Sequence, residues 1–533
     1  MLYGIVRNEI VRNEIVTNEI IKGDDALYSM VTTAIVQGIK SIPVYVEADV
    51  SDGMPIFEMV GFLSSEVKES KERVRTALCN CGYLLPAKRI TINFIPANIR
   101  KTGSGFDLPI TLAILSAMGI VPEEKLKNVL VIGEISLKGE VKPINGILPI
   151  VSEVYEKGIR CCIVPSANRK EAELVKGMEV FAVETVGEAI QILNGETYQK
   201  SGEGELETEK RTERSPDFSE MNGQWVLKRA CETAVSGMHN LLMIGPPGAG
   251  KTMAAMRIPS ILPPLKESEQ MELSKIYSVC GLFSGRESLM EVRPFRCPHH
   301  TITPQGLAGG GIIPRPGEIS MAHKGVLFLD ELPEFRKETL EILRQPMEDK
   351  VTRLVRLNGS YEYPSDFMLV AAMNPCKCGY YPDMQKCRCN AAGIERYINR
   401  ISQPLLDRID ICVATVQIPF EDLNGMGKEE TSEQIRERVM RVHERMQYRF
   451  RNENFLFNSQ IPASKIKEYC RLESKQERYM EQMYQKINLT ARAYHKILKV
   501  ARTLADMDGQ EVIQMKHLNE AICYRSVDKQ LWR

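Results

Sequence analysis

Residues 245–252 read GPPGAGKT, which places a lysine and a hydroxyl side chain directly after a glycine-rich turn. The stretch fits the pattern G-x-x-x-x-G-K-[S/T] and stands between a run typical of a strand and a run typical of a helix. In that setting, backbone N–H groups and the positive end of the helix can surround phosphate groups. The pattern predicts a nucleotide-binding loop made of Gly245, Pro246, Pro247, Gly248, Ala249, Gly250, Lys251 and Thr252.

Within and beyond this loop, three kinds of side chain suit phosphoryl transfer. Lys251 is expected to reach the β- and γ-phosphates, and the Thr252 hydroxyl is expected to bind Mg²⁺. Further on, VLFLDE is an apolar strand pattern that ends in Asp330 and Glu331. We expect Asp330 to hold the magnesium ion through water, and Glu331 to orient and deprotonate the attacking water. The two segments together predict an ATPase with ATP and Mg²⁺ as its cofactors.

Asn374 ends a third apolar strand pattern, FMLVAAMN, in the way that Asp330 follows the second. Strands buried on both faces are typical of a parallel doubly wound sheet, in which such strand ends lie at one edge. We therefore expect Asn374 beside the γ-phosphate, where its amide can hold the attacking water or a phosphate oxygen.

Four cysteines follow Asn374 within a short polar stretch. They are spaced C-x-C-x₈-C-x-C, at Cys376, Cys378, Cys387 and Cys389. Four thiolates can bind Zn²⁺ in a tetrahedron, and a loop without its own core gains its shape from such a metal. The C-x-C spacing is tighter than usual in zinc sites, so a redox pair and unliganded thiols remain as alternatives.

Length and composition limit the remaining possibilities. The 533 residues, 43% of them hydrophobic and 26% charged, suggest about three or four domains in an ordinary globular protein. Sixty-nine basic residues balance 69 acidic residues, so any nucleic-acid surface must be local. The longest apolar stretch is shorter than the ~20 residues of a membrane span, so we expect no membrane contact. Fourteen cysteines without a secretion signal predict reduced thiols and a cytoplasmic location.

Changes in composition divide the chain into regions. The first 29 residues carry a five-residue repeat that matches neither a helix nor a strand, which indicates a disordered extension or a start placed too early, with Met30 as the alternative start. The regions that follow are an α/β domain (30–195), a polar linker (196–220), a P-loop domain (221–420) with a Cys-rich insertion (376–389), and a helical domain (421–533).

The order of several motifs resembles AAA+ ATPases related to the magnesium chelatase I subunit, and more narrowly the ComM/YifB group. The motifs are GQWVLKRACETAVSGMHNLLMIGPPGAGKT, RPFRCPHHT, GEISMAHKGVLFLDELPEF, LVAAMNPCKCGYY and RISQPLLDRIDI. The resemblance implies an AAA+ core with a small helical lid, and a hexameric ring with ATP between subunits. It also implies DNA as the substrate of a helicase-like motor that promotes branch migration during recombination of incoming DNA in natural transformation. The alternative is a chelatase- or chaperone-like ATPase that remodels a partner protein.

Carried over by position, the resemblance gives roles to two arginines. Arg408 in PLLDRID would be the arginine finger donated to the neighbouring subunit, with Arg400 as the second choice. Arg492 in LTARAYHKIL would be the second sensor, on the lid, that contacts the nucleotide's phosphates. The plainer interpretations are a surface arginine paired with Asp407 or Asp410, and a solvated helix arginine.

Three further stretches are candidate DNA or interface contacts, each with a plainer structural alternative. The first holds His299 and His300, which are adjacent and so poorly placed to bind one metal together. The second, KVTRLVRLNGSYEYP, alternates like a hairpin with an Asn-Gly turn and carries Arg353 and Arg356. A third, IRERVMRVHERMQYRFR, has six arginines against two glutamates, and predicts either a solvated lid helix or a DNA contact.

The N-terminal domain resembles the Lon-protease-like, ribosomal S5-type α/β fold. PANIRKTGSGFDLP and GEISLKGEVKPINGILPIV carry the likeness. A protease of that type needs a nucleophilic serine and a lysine that activates it. At the nucleophile's position this chain has Gly105, Ser104 lies one residue early, and no lysine follows the NGILPIV turn. We therefore expect a non-proteolytic domain that binds DNA or a partner.

Overall fold

The structure is a computed structural model that describes residues 27–196, 216–283, 286, 288–311, 314–356, 359–417 and 429–531. Residues 1–26 and most of the expected linker lie outside the described residues. The first strand begins at Leu27, so residues 27–29 belong to the N-terminal unit and not to the expected extension. No helix in the described ranges is long and apolar enough to cross a membrane.

The N-terminal unit is built on a seven-stranded mixed sheet with the order β3-β4-β2-β1-β5-β8-β9. Its strands are β1 Leu27–Gln37, β2 Lys40–Ser51, β3 Ile56–Val60, β4 Arg89–Ile95, β5 Val129–Val131, β6 Glu134–Ile135, β7 Val141–Lys142, β8 Cys161–Pro165 and β9 Glu179–Val183. Its helices are α1 Ser65–Asn80, α2 Asp107–Ala117, α3 Glu123–Leu126, α4 Ile147–Glu156, α5 Arg169–Glu173 and α6 Val186–Asn194. Every residue of α2 is buried, because this apolar helix packs in the centre of the unit against β1 and β2.

The P-loop unit contains a five-stranded sheet with the order β11-β14-β17-β10-β18, in which every pairing is parallel. The strands of this unit are β10 Leu241–Ile244, β11 Phe295–Arg296, β12 Gly309–Gly310, β13 Arg315–Pro316, β14 Val326–Leu329, β15 Val351–Arg356, β16 Gly359–Pro364, β17 Met368–Met373 and β18 Ile411–Ala414. Every residue of β10, β14 and β17 is buried, as the apolar sequence runs predict for strands covered on both faces.

Helices cover this sheet and connect its strands. They are α7 Trp225–Gly237, α8 Lys251–Ile261, α9 Glu267–Val279, α10 Pro304–Ala308, α11 Glu318–Met321, α12 Lys337–Ile342, α13 Arg344–Asp349, α14 Ala391–Ile398 and α15 Gln403–Leu406. Because β17 lies between β14 and β10, the carboxyl ends of all three strands meet at one edge of the sheet. That edge is where the sequence places its candidate catalytic residues.

The C-terminal unit consists of helices that pack on the P-loop unit. They are α16 Ser432–Arg449, α17 Ile466–Tyr469, α18 Ser474–Lys486, α19 Ala491–Met507 and α20 Met515–Leu531. Helix α16 packs on α7 and α8, α19 packs on α7, and α20 packs on β18. Two polar contacts join α19 to residues that precede strands of the sheet: His239 Nε2 lies 2.8 Å from Thr503 Oγ1, and Lys496 Nζ lies 2.8 Å from Asp410 Oδ1. The helical unit is therefore anchored at the amino edge of the sheet, opposite the loop of residues 245–252.

The N-terminal unit docks on the P-loop unit through α9 and the β15–β16 hairpin. The Gly146 N–H donates to the Ser278 carbonyl oxygen at 3.1 Å, and the Ser278 hydroxyl donates to the buried Glu171 carboxylate. On the hairpin side, a Cβ at Gly38 would lie 2.6 Å from the Glu362 carbonyl oxygen, so the two backbones touch. Burial raises the pKa of the Glu171 carboxyl group, and the hydrogen bond from Ser278 partly opposes this shift.

Candidate nucleotide-binding site

The loop after β10 has the backbone shape that a phosphate cradle needs. Gly248 and Gly250 have φ angles of +75° and +78°, a left-handed conformation that glycine adopts without steric cost. Helix α8 begins directly afterwards, at Lys251. The turn therefore leads from the end of a buried strand straight into a helix N-terminus, whose free N–H groups suit an anion.

Lys251 is buried within the loop that carries it. Its Nζ donates to the Gly245 and Pro246 carbonyl oxygens at 2.7 and 2.9 Å, and to Asn374 Oδ1 at 3.2 Å. Burial lowers the pKa of Lys251, while the Asp330 carboxylate acts in the opposite direction. The contact with Asn374 brings the residue that directly follows β17 to the loop, as the sequence predicts.

Thr252 and Asp330 are in direct contact, although 78 residues separate them in the chain. The Thr252 hydroxyl donates to Asp330 Oδ2 at 2.7 Å, and Asp330 Oδ1 accepts the Glu331 N–H at 2.9 Å. A hydroxyl and a carboxylate are hard oxygen ligands of the kind Mg²⁺ prefers. The residues present thus fit a magnesium ion held between the loop and the end of β14.

Glu331 has two features that its sequence position does not reveal. Its φ of 51° is unusual for a residue with a side chain and is the kind of backbone conformation found at functional sites. Its Oε2 lies 3.5 Å from His300 Nδ1, and the His300 and His299 ring centroids lie 4.0 Å apart with the ring planes tilted by 35°. His300 is therefore a site residue that sequence analysis did not assign to this place. The parallel pairing of β11 with β14 brings the CPHHT segment to Glu331, and so short a strand gives no clear sequence signal.

The two candidate arginines lie together, but at the other edge of the sheet. Arg408 and Arg492 line one groove of about 650 Å³, alongside Asn240 and Asp410, which precede β10 and β18. The four residues of β10 span about 13 Å at ~3.3 Å per residue. Arg492 is thus not brought to the nucleotide-binding loop of its own chain, because its helix packs at the amino edge of the sheet.

The Arg408 side chain is held in place by neighbours other than those the sequence suggested. Its guanidinium pairs with Glu348 at 2.5 Å and donates to the Arg344 carbonyl oxygen at 3.1 Å, whereas the plainer interpretation named Asp407 or Asp410 as its partner. Arg400, the second-choice finger, pairs with Glu334 at 2.9 Å and lies close to the loop that follows Glu331. Arg408 and Arg400 therefore occupy different parts of the subunit.

The four cysteines are brought together beside the nucleotide-binding loop. The sulfur atoms of Cys376, Cys378, Cys387 and Cys389 all lie within 4.8 Å of one another. A Cβ at Gly379, inside this Cys-rich insertion, would lie 2.5 Å from Pro247 Cδ, so the insertion touches the loop.

The hairpin and the arginine-rich helix are partly tied into structure. Arg353 pairs with Asp349 and Glu362, while Arg356 is exposed and donates to the Val355 carbonyl oxygen. The residues of the predicted Asn-Gly turn include Asn358, which lies outside the described residues. Arg438 and Arg449 of α16 form ion pairs with acids of α7 and α19, which favours the lid-helix interpretation for this part of α16.

Ser104 in the N-terminal unit has a carboxylate partner. Its hydroxyl donates to Glu134, whereas a Lon-type site requires an amine beside the serine. The nearby Lys101 is buried and donates to backbone carbonyl oxygens of Phe94 and Pro96, and burial lowers its pKa. The non-proteolytic role of this domain stays a prediction from the sequence.

Comparison with known protein families matches three parts of the chain. The families described as "Magnesium chelatase, subunit ChlI", "Subunit ChlI of Mg-chelatase" and "Magnesium chelatase, subunit ChlI C-terminal" match residues 217–423, 46–168 and 429–525. These ranges follow the three structural units described above. Members of the first family are AAA+ ATPases, which agrees with the geometry of Lys251, Thr252 and Asp330.

Individual relatives match over almost the whole chain. The YifB protein of Escherichia coli (strain K12) is 39% identical over 512 residues, covering 94% of this chain and 98% of YifB. The competence protein ComM of Haemophilus influenzae is 38% identical over 508 residues, covering 94% of this chain and 97% of ComM. Lon protease 2 of Bacillus subtilis is 33% identical over 139 residues, 26% of this chain and 25% of the protease. The chain therefore belongs to the ComM/YifB family of magnesium chelatase subunit I-like AAA+ ATPases.

Proposed function

We propose that this protein is an ATP-hydrolysing AAA+ ring motor that acts on DNA in the cytoplasm, as a branch-migration helicase in the recombination of incoming DNA. The observation that carries the ATPase part is the meeting of Lys251, Thr252, Asp330 and Asn374 at one sheet edge. The similarity of nearly the whole chain to a protein named for competence supports the DNA part.

In the proposed reaction, each site residue has one task. Lys251 would leave its carbonyl contacts to bind the β- and γ-phosphates. Thr252, and Asp330 through water, would hold Mg²⁺, which would offset the phosphate charge. Glu331 takes the proton of the attacking water, and Asn374 fixes that water or a γ-phosphate oxygen. His300, in contact with Glu331, sets the position of the glutamate's carboxylate.

The position of the arginines supports action between subunits. Arg408 and Arg492 line a groove in which six cations face five acids, and its lysines Lys324, Lys350 and Lys496 are paired with Asp366 or Asp410. Since this groove and the Lys251 loop lie at opposite edges of the sheet, a ring of subunits can place the groove of one chain against the loop of the next. In the proposal, Arg408 and Arg492 contact the neighbour's nucleotide within a homohexamer. An arginine supplied in this way stabilises the charge of the transition state only after assembly.

Exposed basic side chains offer a local surface for DNA despite a formal net charge of zero. Arg356, at the end of β15, lies next to Gly310 of the glycine-rich segment, and Arg315 on β13 is also exposed. Cations of this kind bind phosphates without reading sequence, and their binding weakens as salt rises.

The test is ATP turnover by the purified full chain, alone and with single-stranded, duplex or branched DNA. We expect DNA to raise turnover, the increase to shrink with added salt, and Glu331→Gln to remove both basal and stimulated turnover. A double variant, Arg315→Ala with Arg356→Ala, should keep basal turnover and lose most of the DNA stimulation. Turnover that no DNA changes would contradict the DNA part and favour a motor that remodels a partner protein.

A further inference from the structure

The thiols of the Cys-rich insertion (376–389) have the spacing of a metal tetrahedron. The Cys376 sulfur lies 3.4 Å from that of Cys378 and 3.7 Å from that of Cys387, and the last two are 3.6 Å apart. Zinc–sulfur bonds of about 2.3 Å in a tetrahedron place the sulfurs ~3.8 Å from one another. A disulfide needs about 2.05 Å, so Cys376, Cys378 and Cys387 are not bonded to one another, and all four thiols are free.

The insertion has no hydrophobic core of its own that would explain why the thiols meet. Cys376 and Cys387 are buried, while Cys378 and Cys389 are partly exposed. The Tyr381 N–H points at the Cys376 sulfur at 3.5 Å, a contact that stabilises a thiolate. Three cations, Lys377, Lys386 and Arg388, stand against the single acid Asp383 in the same stretch, and they offset part of the negative charge of four thiolates around one divalent ion.

The insertion also supports the nucleotide-binding loop from outside. Gly379 has a φ of +88°, and a Cβ there would lie 2.5 and 2.8 Å from the Pro247 ring carbons. Residues of the insertion, of the loop and of the end of β18 together enclose a cavity of about 810 Å³, with Tyr380, Tyr381 and Thr415 among its walls. A change in the shape of the insertion would therefore reach Pro247 directly.

We propose that Cys376, Cys378, Cys387 and Cys389 hold a zinc ion, and that this ion keeps the insertion pressed against Pro247, so that zinc occupancy controls nucleotide affinity. The inference rests on the proposed function only in that the loop binds ATP. The metal does not take part in the reaction: it orders a segment whose backbone contacts the phosphate cradle.

The metal site is tested by zinc content. The full chain, purified under reducing conditions without added metal, should contain about one zinc ion per chain, and Cys387→Ser should lower the content at least tenfold. Cys79→Ser, which changes an exposed cysteine of α1, should leave it unchanged. A wild type that lacks zinc, or a Cys387→Ser variant that keeps it, would overturn the site.

A measurement on the wild type covers the case in which Cys387→Ser does not fold. Zinc is removed with a zinc-selective chelator and replaced by Co²⁺, whose visible absorption depends on ligand type and geometry. Intense bands of a tetrahedral tetrathiolate complex are expected, and the weak spectrum of an octahedral oxygen-bound ion would contradict the assignment.

The contact with Pro247 is tested by the binding of a fluorescent ATP analogue with Mg²⁺. Removing zinc should weaken binding about tenfold, and returning zinc should restore it. Gly379→Ala should keep zinc and yet weaken binding to a similar degree, because its Cβ displaces Pro247. The matched control is Gly82→Ala, a glycine with φ of +85° and nothing within 4 Å of an added Cβ.

The outcomes separate this inference from the proposed function, because neither zinc content nor analogue binding requires DNA or turnover. A zinc-free wild type that binds the analogue would overturn the metal site alone. Binding that is unaffected by zinc removal and by Gly379→Ala would overturn the support of Pro247. A zinc-loaded wild type that binds no ATP would overturn both the support and the ATPase proposal.

Discussion

At the residue scale, the contact between Lys251 and Asn374 links the start of α8 to the end of β17 at the point where the γ-phosphate is expected. Replacing Asn374 with alanine removes one polar contact and leaves the cradle of carbonyls and N–H groups intact. We expect Asn374→Ala to lower turnover by ~10- to 100-fold, because an oriented amide acts mainly on the transition state. Nucleotide affinity should change less than about threefold. Equal losses in affinity and turnover would show that Asn374 serves only to bind ATP.

His300 is the second residue whose role can be separated from binding. Its Nδ1 lies 3.5 Å from Glu331 Oε2, so removing the ring frees the glutamate's carboxylate. His300→Ala is expected to lower kcat several-fold, by roughly 1 kcal/mol of lost positioning, with ATP affinity unchanged. His299→Ala is the comparison: His299 contacts Thr301 and the His300 ring but not the glutamate, so a smaller loss of kcat is expected. If both variants behave alike, the effect belongs to the folding of this loop and not to Glu331.

At the element scale, α16 and α19 are joined by a buried cluster of charges. Asp506 is fully buried and accepts from Arg449 at 2.7 Å, from Arg502 at 2.9 Å and from Asn458 at 2.8 Å. Asp506→Asn leaves both guanidinium groups without their anion and should cost ~3–5 kcal/mol in the stability of the helical unit. Denaturant unfolding followed by limited proteolysis would measure this loss.

The matched control for that change is Asp349→Asn in the exposed pair with Arg353. Exposed ion pairs contribute little to stability, so the control should unfold almost like the wild type. Equal stability of Asp506→Asn and Asp349→Asn would show that solvent enters the α16–α19 contact.

The junction between the helical unit and the sheet should also respond to pH. Burial lowers the pKa of His239 from 6.5 to about 4, so the folded state resists the proton that the unfolded state accepts. Stability should therefore fall as pH drops from 6.5 towards 4, by up to ~1.4 kcal/mol per pH unit. Burial also lowers the pKa of His443 in α16 to about 4, so this residue should likewise lower the stability as the pH drops. Thermal denaturation across this pH range measures the slope.

His239→Gln isolates the contribution of the single imidazole. Glutamine keeps a hydrogen-bonding group near Thr503 but does not titrate, so the slope should become shallower below pH 6.5. Asp410 should not contribute to the slope between pH 6.5 and 4. Although burial raises the pKa of this carboxyl group, Lys496 and His239 hold that pKa at about 2. An unchanged slope in the variant would place the pH sensitivity elsewhere in the chain.

At the scale of the whole molecule, the arginine groove and the nucleotide-binding loop lie at opposite edges of one sheet. Arg408→Ala should bind ATP normally and lose turnover by ~10³-fold, as expected for an arginine finger. Turnover should return in part when this variant is mixed with Glu331→Gln, which is inactive on its own. The mixture contains interfaces where an intact Glu331 site meets an intact Arg408.

The mixing experiment has a clear contrary outcome. If Arg408 acted within its own chain, a mixture of the two variants would stay inactive, because neither chain holds both residues. Arg353→Ala, which removes an exposed hairpin arginine, should keep turnover alone and in mixtures. The size of the assembly, measured by light scattering with and without ATP, shows whether each variant still forms a ring.

The sequence by itself determined the chemistry of the loop edge and the presence of a parallel sheet. Residues 245–252, Asp330 and Asn374 each follow an apolar strand run directly, so their roles depend on local order and on strand periodicity. Parallel strands bring their carboxyl ends to one edge of the sheet, whatever the order of the strands in that sheet. For this reason the sequence alone predicts that Lys251, Thr252, Asp330 and Asn374 lie together.

Only the tertiary structure decided which distant segments meet. The contact of His300 with Glu331 depends on β11 pairing with β14, and that of Gly379 with Pro247 depends on the path of the Cys-rich insertion. The place of Arg492 depends on how α19 packs on α7. Local patterns hold no information about these long-range contacts, because strand order and helix packing are set by the burial of apolar surface across the whole chain.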